Sequence, residues 1–234
     1  MSYTGSKYIE DDYLSIAMGH VRNTSYIDKF GYNSAVGNSF ETVWDGNNVY
    51  TYIAAAGTAV AASSSTDDNG GTVEVSGLDA NFNEISEILT IGGSAGTKQF
   101  YRVSRARMVS ANTGDTNVGN VTITVDSKSA AIITAGYGQT LMALYTVPAK
   151  CTGYLVLLDI GCSKDLEHEV KVIVRSANGG AWNTKAFITT RGGFIEKNWK
   201  IPLEIPEKSD IEVRAKGSAT TAVSAGFELV TVKR

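Results

Sequence analysis

The sequence has few of the residues that metal sites and catalytic centres require. Its 234 residues include two histidines, two cysteines and three prolines. His20 and His168 lie far apart, and neither has a second histidine or a cysteine at the spacing of a zinc site. The sequence also lacks a Gly-x-Ser-x-Gly elbow and a phosphate-binding loop ending in Lys-Ser/Thr. We therefore expect no cofactor, no metal and no enzymatic activity.

Charge and hydropathy are unremarkable. The net charge is −3 and the pI is about 5.5, so no basic surface predicts a nucleic-acid partner. No window approaches the roughly 20 apolar residues of a membrane span, so no membrane partner is expected. Residues 1–8 contain neither an apolar segment nor a small-residue cleavage site, so the sequence predicts no signal peptide.

The two cysteines, Cys151 and Cys162, bracket a mostly apolar run of ten residues. If this run is one strand, its ends lie about 35 Å apart. A disulfide needs Cα atoms within roughly 7 Å of each other. We therefore expect two free cysteines that pack as small apolar side chains.

What the sequence does contain is a recurring alternation of apolar and polar residues. It is clearest in Thr72–Ser76, Val121–Val125 and Ile211–Arg214, and clusters of Gly, Asn, Asp and Ser separate such runs. A period of two places one face of a strand on a core and the other in water. Many short strands at this spacing predict an all-β body, a β-sandwich or jelly roll, over residues 39–234. It could consist of two packed sub-sandwiches divided near residues 137–148.

Three local predictions follow from this pattern. Residues 40–44 and 49–53 flank Asp45-Gly46-Asn47-Asn48, which predicts a hairpin. Tyr154–Ile160 is almost entirely apolar, as in a strand covered on both faces. The charged segment Ser163–Glu169, which contains His168, is expected to be a solvated loop.

Residues 1–38 differ from the rest and predict an extended N-terminal arm. Residues 13–18 are compatible with a short helix, and the aromatic residues that follow show little periodicity. An arm of this kind would bury its aromatic side chains against a neighbouring subunit. The candidate subunit or capsid contacts are Tyr26, Phe30, Tyr32 and Trp44. The alternatives are a leader strand on the protein's own sheet and a partly disordered tail.

Two sets of residues resemble virion structural proteins of tailed bacteriophages, many of them from aquatic or marine phages. One is Lys29-Phe30-Gly31-Tyr32-Asn33 followed by residues 40–46. The other comprises residues 77–87, 145–149 and 206–211. The resemblance extends over most of the chain from about residue 20, and it is a pattern of strands and turns that carries no catalytic signature.

The resemblance implies a non-enzymatic structural protein of the virion, assembled in the host cytoplasm. The leading expectation is a capsid decoration (cement) protein that binds and stabilises the outer head surface. Its partners would be the major capsid protein or other virion proteins, and it would form a homo-oligomer, for which we expect a trimer. The alternatives are a neck, tail or fibre-base component, or a receptor- or glycan-binding module. Trp182 with its neighbours is the best cue for a glycan site. An enzyme such as a depolymerase is least favoured, because no motif singles out a pair of acids.

Overall fold

The computed structural model describes residues 12–234. Strands account for 61% of the protein and helices for 3%, so the predicted all-β fold is confirmed. The strands form sheets in a barrel-like or sandwich arrangement. Within the described residues no helix is long and apolar enough to cross a membrane.

One short helix precedes the strands. It is α1 (Asp12–Ala17), which agrees with the helix expected at residues 13–18. The strands are β1 (Thr24–Val36), β2 (Glu41–Thr42), β3 (Gly57–Thr58), β4 (Val60–Ser63), β5 (Thr72–Leu78), β6 (Glu84–Thr90), β7 (Gln99–Phe100), β8 (Arg102–Ser110), β9 (Val121–Val125), β10 (Lys128–Ile133), β11 (Leu144–Thr146), β12 (Cys151–Ser176), β13 (Asn183–Ile205), β14 (Ser209–Gly217) and β15 (Thr221–Lys233). A short 3₁₀ turn, Thr66–Asp68, lies between β4 and β5.

The main sheet has seven strands and is built around β12. Its order is β1-β15-β12-β14-β11, while β13 pairs with the other edge of β12 and β2 pairs with β14. The first half of β12, residues 151–162, pairs with β15. The second half, residues 168–176, pairs with β14. All of these pairings are antiparallel, and β13 follows β12 over almost its whole length.

The main sheet encloses the first hydrophobic core. Leu158 and Ile160 from the first half of β12 join Val170 and Val172 from the second half in one buried cluster. The register of β12 against β13 shifts between these halves, from Cys162 to Glu167. Because both halves supply the same cluster, the long strand bends at this irregularity and packs the two parts of the sheet on a single core.

A second core lies in the chain between β1 and β11. It is surrounded by three small sheets, with orders β10-β9-β4, β6-β5-β8 and β3-β7. Large side chains such as Phe100, Ile123 and Ile133 are fully buried there.

The chain lies between the two cores at two places, residues 43–44 and 142–145. Val43 and Ala143 belong to the first core, whereas their neighbours Trp44 and Leu144 belong to the second. Successive side chains of extended backbone point in opposite directions. A single residue step is therefore enough to move the chain from one core to the other.

The predicted arm requires a correction. β1 pairs with β15 from Thr24 opposite Val232 to Val36 opposite Thr221. Residues 24–36 therefore form an end strand of the main sheet, as in the leader-strand alternative. Residues 1–11 of the predicted arm lie outside the described residues.

Of the three local predictions, the hairpin is wrong and the loop is wrong in part, whereas Tyr154–Ile160 does lie within a strand, β12. Residues 45–48 do form a turn, in which the Thr42 amide donates to the carbonyl of Asn48 (3.2 Å), but residues 49–53 form no strand and β2 pairs with β14 instead. Ser163–Glu169 belongs to β12 and is not a loop, and His168 is fully buried, but Ser163–Asp165 and Glu167 are exposed as expected. Both cysteines are free, as expected.

Candidate interaction surface

β1 presents its aromatic residues on one side. Lys29, Gly31 and Asn33 are buried on the side that faces the body, and the alternating residues Tyr26, Phe30 and Tyr32 are half-buried on the opposite side. The structure thus brings three of the four predicted contact residues onto one face.

Trp44 does not belong to this face. It is 2% exposed and packs in the second core. Its indole N–H donates to the carbonyl oxygen of Asn48 at 2.9 Å, and its ring makes an edge contact with Tyr50. The prediction that Trp44 contacts a partner is therefore wrong for the folded chain, because its side chain is enclosed.

The strand register extends the aromatic face of β1 across three further strands. Side chains that lie opposite each other on paired strands share a face. We call this surface the outer face, and it comprises four cross-strand rows. In the order β1, β15, β12, β13, the rows are Tyr26–Val230–Tyr154–Glu204, Asp28–Glu228–Leu157–Asn198, Phe30–Gly226–Asp159–Glu196 and Tyr32–Ser224–Gly161–Phe194.

A shallow depression lies in the last of these rows. Tyr32 on β1 lines it together with the small residues Gly161, Gly193, Ala222 and Ser224. The depression has a volume of about 250 Å³. A Cβ atom on Gly161 would lie 2.6 Å from the Ser224 Oγ, a contact that rotation of the serine side chain relieves.

Carboxylates occupy the two central rows of the outer face. Asp28 is opposite Glu228, and Asp159 is opposite Glu196. Burial, and then the negative charges of Asp28, Glu228 and Glu196, raise the pKa of Asp159. Like charges held close together are relieved when a cation approaches them. The outer face is thus aromatic and largely acidic, and the guanidinium of Arg105 lies 5.8 Å from the ring of Phe30 at its edge.

A second group of charged residues lies between the two cores, and we call it the ionic latch. Arg102 from the second core contacts Asp210 from the first, with Nε 2.9 Å from Oδ1 and both side chains buried. Arg175 approaches the other oxygen of Asp210 at 3.1 Å. Beside this pair, Arg214 Nε lies 2.7 Å from Oε1 of the fully buried Glu212.

The ionic latch is fully hydrogen-bonded. Arg102 also donates to the carbonyl oxygens of Tyr101 and Ala177, at 2.8 and 3.1 Å. Burial alone would lower the pKa of Arg102, but its hydrogen bond and charge interaction with Asp210 outweigh this effect and hold the pKa above its ordinary value. Across residues 12–234 every buried side-chain nitrogen and oxygen has a hydrogen-bond partner.

Trp182, the best cue for a glycan site, lies beside the ionic latch. It lines an open depression of about 500 Å³ together with Tyr52 and Asn178. Its ring already contacts two guanidinium groups, with Arg175 at 4.5 Å and Arg214 at 5.4 Å. These cation–π contacts give Trp182 a structural role between the cores.

The sequence did not indicate the ionic latch. Asp210 precedes the alternating run Ile211–Arg214, and Glu212 is one of its polar members, which are expected to face water. In the folded chain β14 is buried on both sides, because the second core covers the face that carries these acids. The available signal is the presence of arginine at positions 102, 175 and 214. Arginine is too common for the sequence alone to show which acid each of them contacts.

The described part of the chain contains no group of three or more His, Cys, Asp or Glu side chains arranged to hold a metal ion. His168 is engaged locally: its Nδ1 lies 2.7 Å from the carbonyl oxygen of Leu166, and its Nε2 lies 3.4 Å from the Thr221 Oγ1.

Comparisons with known proteins give little. No family model matches the chain, and no curated protein does. A chain from naturally occurring empty particles of cowpea mosaic virus is 11% identical, with a TM-score of 0.24, over 79% of this chain and 83% of that one. A chain from infectious bursal disease virus, Gt strain, is 13% identical, with a TM-score of 0.21, over 90% and 73%. A lipoprotein of Bacteroides thetaiotaomicron is 10% identical, with a TM-score of 0.19, over 89% and 96%. Similarity at this level is weak, includes viral capsid chains, and identifies no function.

Proposed function

We propose that this protein is a non-enzymatic structural component of a bacteriophage virion, a decoration (cement) protein that binds and stabilises the outer surface of the head. The observation that carries the proposal is the outer face, on which Tyr26, Phe30 and Tyr32 share one side of β1. Aromatic side chains are enriched where proteins contact each other. The resemblance of the sequence to phage virion proteins supports the virion as the setting.

The outer face also indicates the character of the partner. Asp28, Glu228, Asp159 and Glu196 lie in the two central rows of this face. Such a face matches a coat-protein surface that presents Lys or Arg side chains, because these cations pair with the carboxylates and contact the aromatic rings. A cement protein would use this face to bridge neighbouring coat subunits.

The first experiment is to measure the copy number of this protein relative to the major coat protein, by quantitative mass spectrometry of purified phage particles. A ratio near that of the coat protein supports decoration of the head. A few copies per particle would place the protein in the neck, tail or fibre base. Its absence from the particle would overturn the virion proposal.

The second experiment tests the outer face itself. Phe30→Ser and Tyr32→Ser together remove two aromatic side chains from the face and leave the buried side of β1 unchanged. We expect this variant to lose most of its binding to particles that lack the protein. Tyr137→Ser is the matched control, because Tyr137 is exposed and lies outside the outer face. Equal binding by both variants, with the fold of each checked by circular dichroism, would contradict the proposal.

A further inference from the structure

The open depression beside the ionic latch is basic and aromatic, and we call it the arginine basin. Its volume is about 500 Å³. Its lining includes aromatic rings, guanidinium groups and one side-chain amide, from Tyr52, Tyr101, Trp182, Arg175, Arg214 and Asn178. Within the described chain no acidic residue lines it, since Asp210 and Glu212 are fully buried.

Two neighbouring strands and one turn bring these residues together. Arg175 lies near the end of β12, opposite Asp210 of β14, and Arg214 lies further along β14. Positions of even spacing share one face of a strand, so both arginines point to the same side. The turn between β12 and β13 then brings Trp182 against Arg175, with the guanidinium carbon 4.5 Å from the ring centroid.

The two buried acids have no acceptor position left. Each of the carboxylate oxygens of Asp210 and Glu212 already accepts two hydrogen bonds from the described chain. A carboxylate has about four acceptor positions in all. Neither acid can therefore accept a further N–H group from an arginine.

Two of the arginines still have donors to give. Arg102 uses all three of its nitrogens within the protein. Arg175 uses Nε alone, for Asp210, so within the described chain both of its Nη groups have no partner. Arg214 uses Nε and Nη2 for Glu212, which leaves Nη1. The side chains of Arg175 and Arg214 are 20% and 17% exposed, so these free groups can be reached from the basin.

Charge also favours an anion at this place. The guanidinium groups of Arg102, Arg175 and Arg214 exceed the carboxylates of Asp210 and Glu212 by one positive charge. The whole chain, by contrast, carries a net charge of −3. A positive excess in a partly enclosed depression concentrates anions there.

We propose that the arginine basin binds the carboxylate of an acidic sugar. The two Nη groups of Arg175 donate parallel hydrogen bonds to the carboxylate, and Nη1 of Arg214 donates another. The sugar ring lies against the half-buried Trp182, and its hydroxyl groups face Asn178. The proposal goes beyond the proposed virion function and does not depend on it, since no residue of the outer face lines the basin.

Arg175 is held in place before a ligand arrives. Its guanidinium carbon lies 4.5 Å from the ring centroids of both Tyr52 and Trp182, and its Nε lies 3.1 Å from Asp210 Oδ2. A planar guanidinium fixed in this way matches a carboxylate and loses little side-chain entropy on binding.

The size and lining of the basin favour a sugar acid over other anions. A volume of about 500 Å³ is typical of pockets that hold a small organic molecule and exceeds what a bare ion fills. The amide of Asn178 and the hydroxyl of Thr51, which also lines the basin, can both donate to and accept from sugar hydroxyls. A nucleic acid would need a series of cations along its backbone, whereas the basin has one charge in excess.

The first test compares small probes by isothermal titration calorimetry on the full chain. Glucuronate and galacturonate carry both ring and charge, their methyl esters keep the ring without the charge, and inorganic phosphate is an anion without the ring. We expect one or both sugar acids to bind with a Kd on the order of 1 mM, and the esters and phosphate to bind at least tenfold more weakly. The proposal is overturned if neither sugar acid binds, or if the esters or phosphate bind equally well.

The second test is Arg175→Lys. Lysine keeps the positive charge beside Asp210 but lacks the planar pair of Nη groups, so binding of the sugar acid should weaken at least tenfold. Arg191→Lys is the matched control, because Arg191 Nε also pairs with an aspartate, Asp165, at 3.0 Å, and lies outside the basin. This control should bind like the wild type. Unchanged binding by Arg175→Lys would contradict the assigned role of its Nη groups.

The third test leaves the ionic latch intact. Asn178 is exposed in the turn after β12, so Asn178→Asp adds a negative charge to the basin with little change in size. It should weaken binding of the sugar acid several-fold. Asn120→Asp adds the same charge at an exposed position outside the basin and should have no effect. With the fold of each variant checked by circular dichroism, equal binding by the two would show that the ligand does not enter the basin and would overturn the proposal.

Discussion

Lys29 is a charged side chain in a buried position. It is 4% exposed, and its Nζ donates to the carbonyl oxygen of Ser104. Burial, and then the positive charge of Arg105, lower its pKa to about 7, while Asp28 acts in the opposite direction. In the unfolded chain the pKa returns to near 10.5.

This difference predicts how stability depends on pH. Between about pH 7 and 10.5 the unfolded chain binds a proton at Lys29 that the folded chain does not, so the free energy of unfolding rises with pH. Lys29→Met removes this contribution. We expect the wild-type protein to be more stable at pH 9.5 than at pH 7.5, and the variant to lose most of that gain. Urea unfolding at the two pH values measures it.

Lys128→Met is the control for this measurement, because Lys128 is an exposed residue of β10. This variant should keep the wild-type difference between the two pH values. If Lys29→Met retains the same gain as the wild type, the gain comes from another group and the lowered pKa of Lys29 is wrong.

At the scale of elements, the periodicity of the sequence predicts where many strands lie. It does not show where a strand continues through a segment that is expected to be a loop. β5, β9 and β14 contain the alternating runs Thr72–Ser76, Val121–Val125 and Ile211–Arg214, where strands are expected. β12 continues from the expected strand Tyr154–Ile160 through Ser163–Glu169, which is expected to be a loop, and β13 continues through Gly192 and Gly193. Charged residues such as Asp165 and glycines such as Gly192 do indicate turns locally. Here pairing with a neighbouring strand over the full length overrides that local preference.

Part of the outer face could also be predicted from the periodicity of the sequence. Aromatic residues at positions 26, 30 and 32 have even spacing, so their common face follows from the period of a strand. Trp44 is aromatic like these three residues, but it lies beyond the end of β1, where the chain enters the second core. Which strands extend the outer face depends on long-range pairing, and no local pattern encodes it.

Gly31 determines how closely β1 packs on the body. A Cβ atom there would lie 2.1 Å from the carbonyl oxygen of Val43 and 2.4 Å from the amide nitrogen of Ala143. Both are backbone atoms, which cannot turn aside. We expect Gly31→Ala to lower the free energy of unfolding by about 3 kcal/mol, near the upper end for overpacking, as measured by urea unfolding.

Gly37→Ala provides the comparison. A Cβ atom at Gly37 would meet one atom, the Glu41 Oε1, at an ordinary 3.5 Å. This variant should unfold close to the wild type. Equal stability of the Gly31 and Gly37 variants would show that β1 is not held against Val43 and Ala143.

At the scale of the whole molecule, the ionic latch joins two cores that each have their own sheets. Arg102 comes from the second core, and Asp210 comes from the first. A small cluster of Leu78, Phe82 and Ala177 also lies between them. Asp210 also pairs with Arg175 of the main sheet, but the buried Arg102 has no other acid partner in the described chain, so the second core alone would leave this charge unpaired. The latch therefore couples the folding of the two cores.

This coupling is tested by Asp210→Asn, which leaves the buried Arg102 without its counter-charge. Removing one partner of a buried pair costs about 3–5 kcal/mol. We expect the wild-type protein to unfold in one calorimetric transition and the variant to unfold at lower temperature in two, since each core then responds separately. Glu74→Gln is the control, because Glu74 pairs with Arg107, whose side chain is 60% exposed, and such pairs contribute little. A single transition for Asp210→Asn at the wild-type temperature would mean that apolar packing at the crossings 43–44 and 143–144 holds the cores together without the latch.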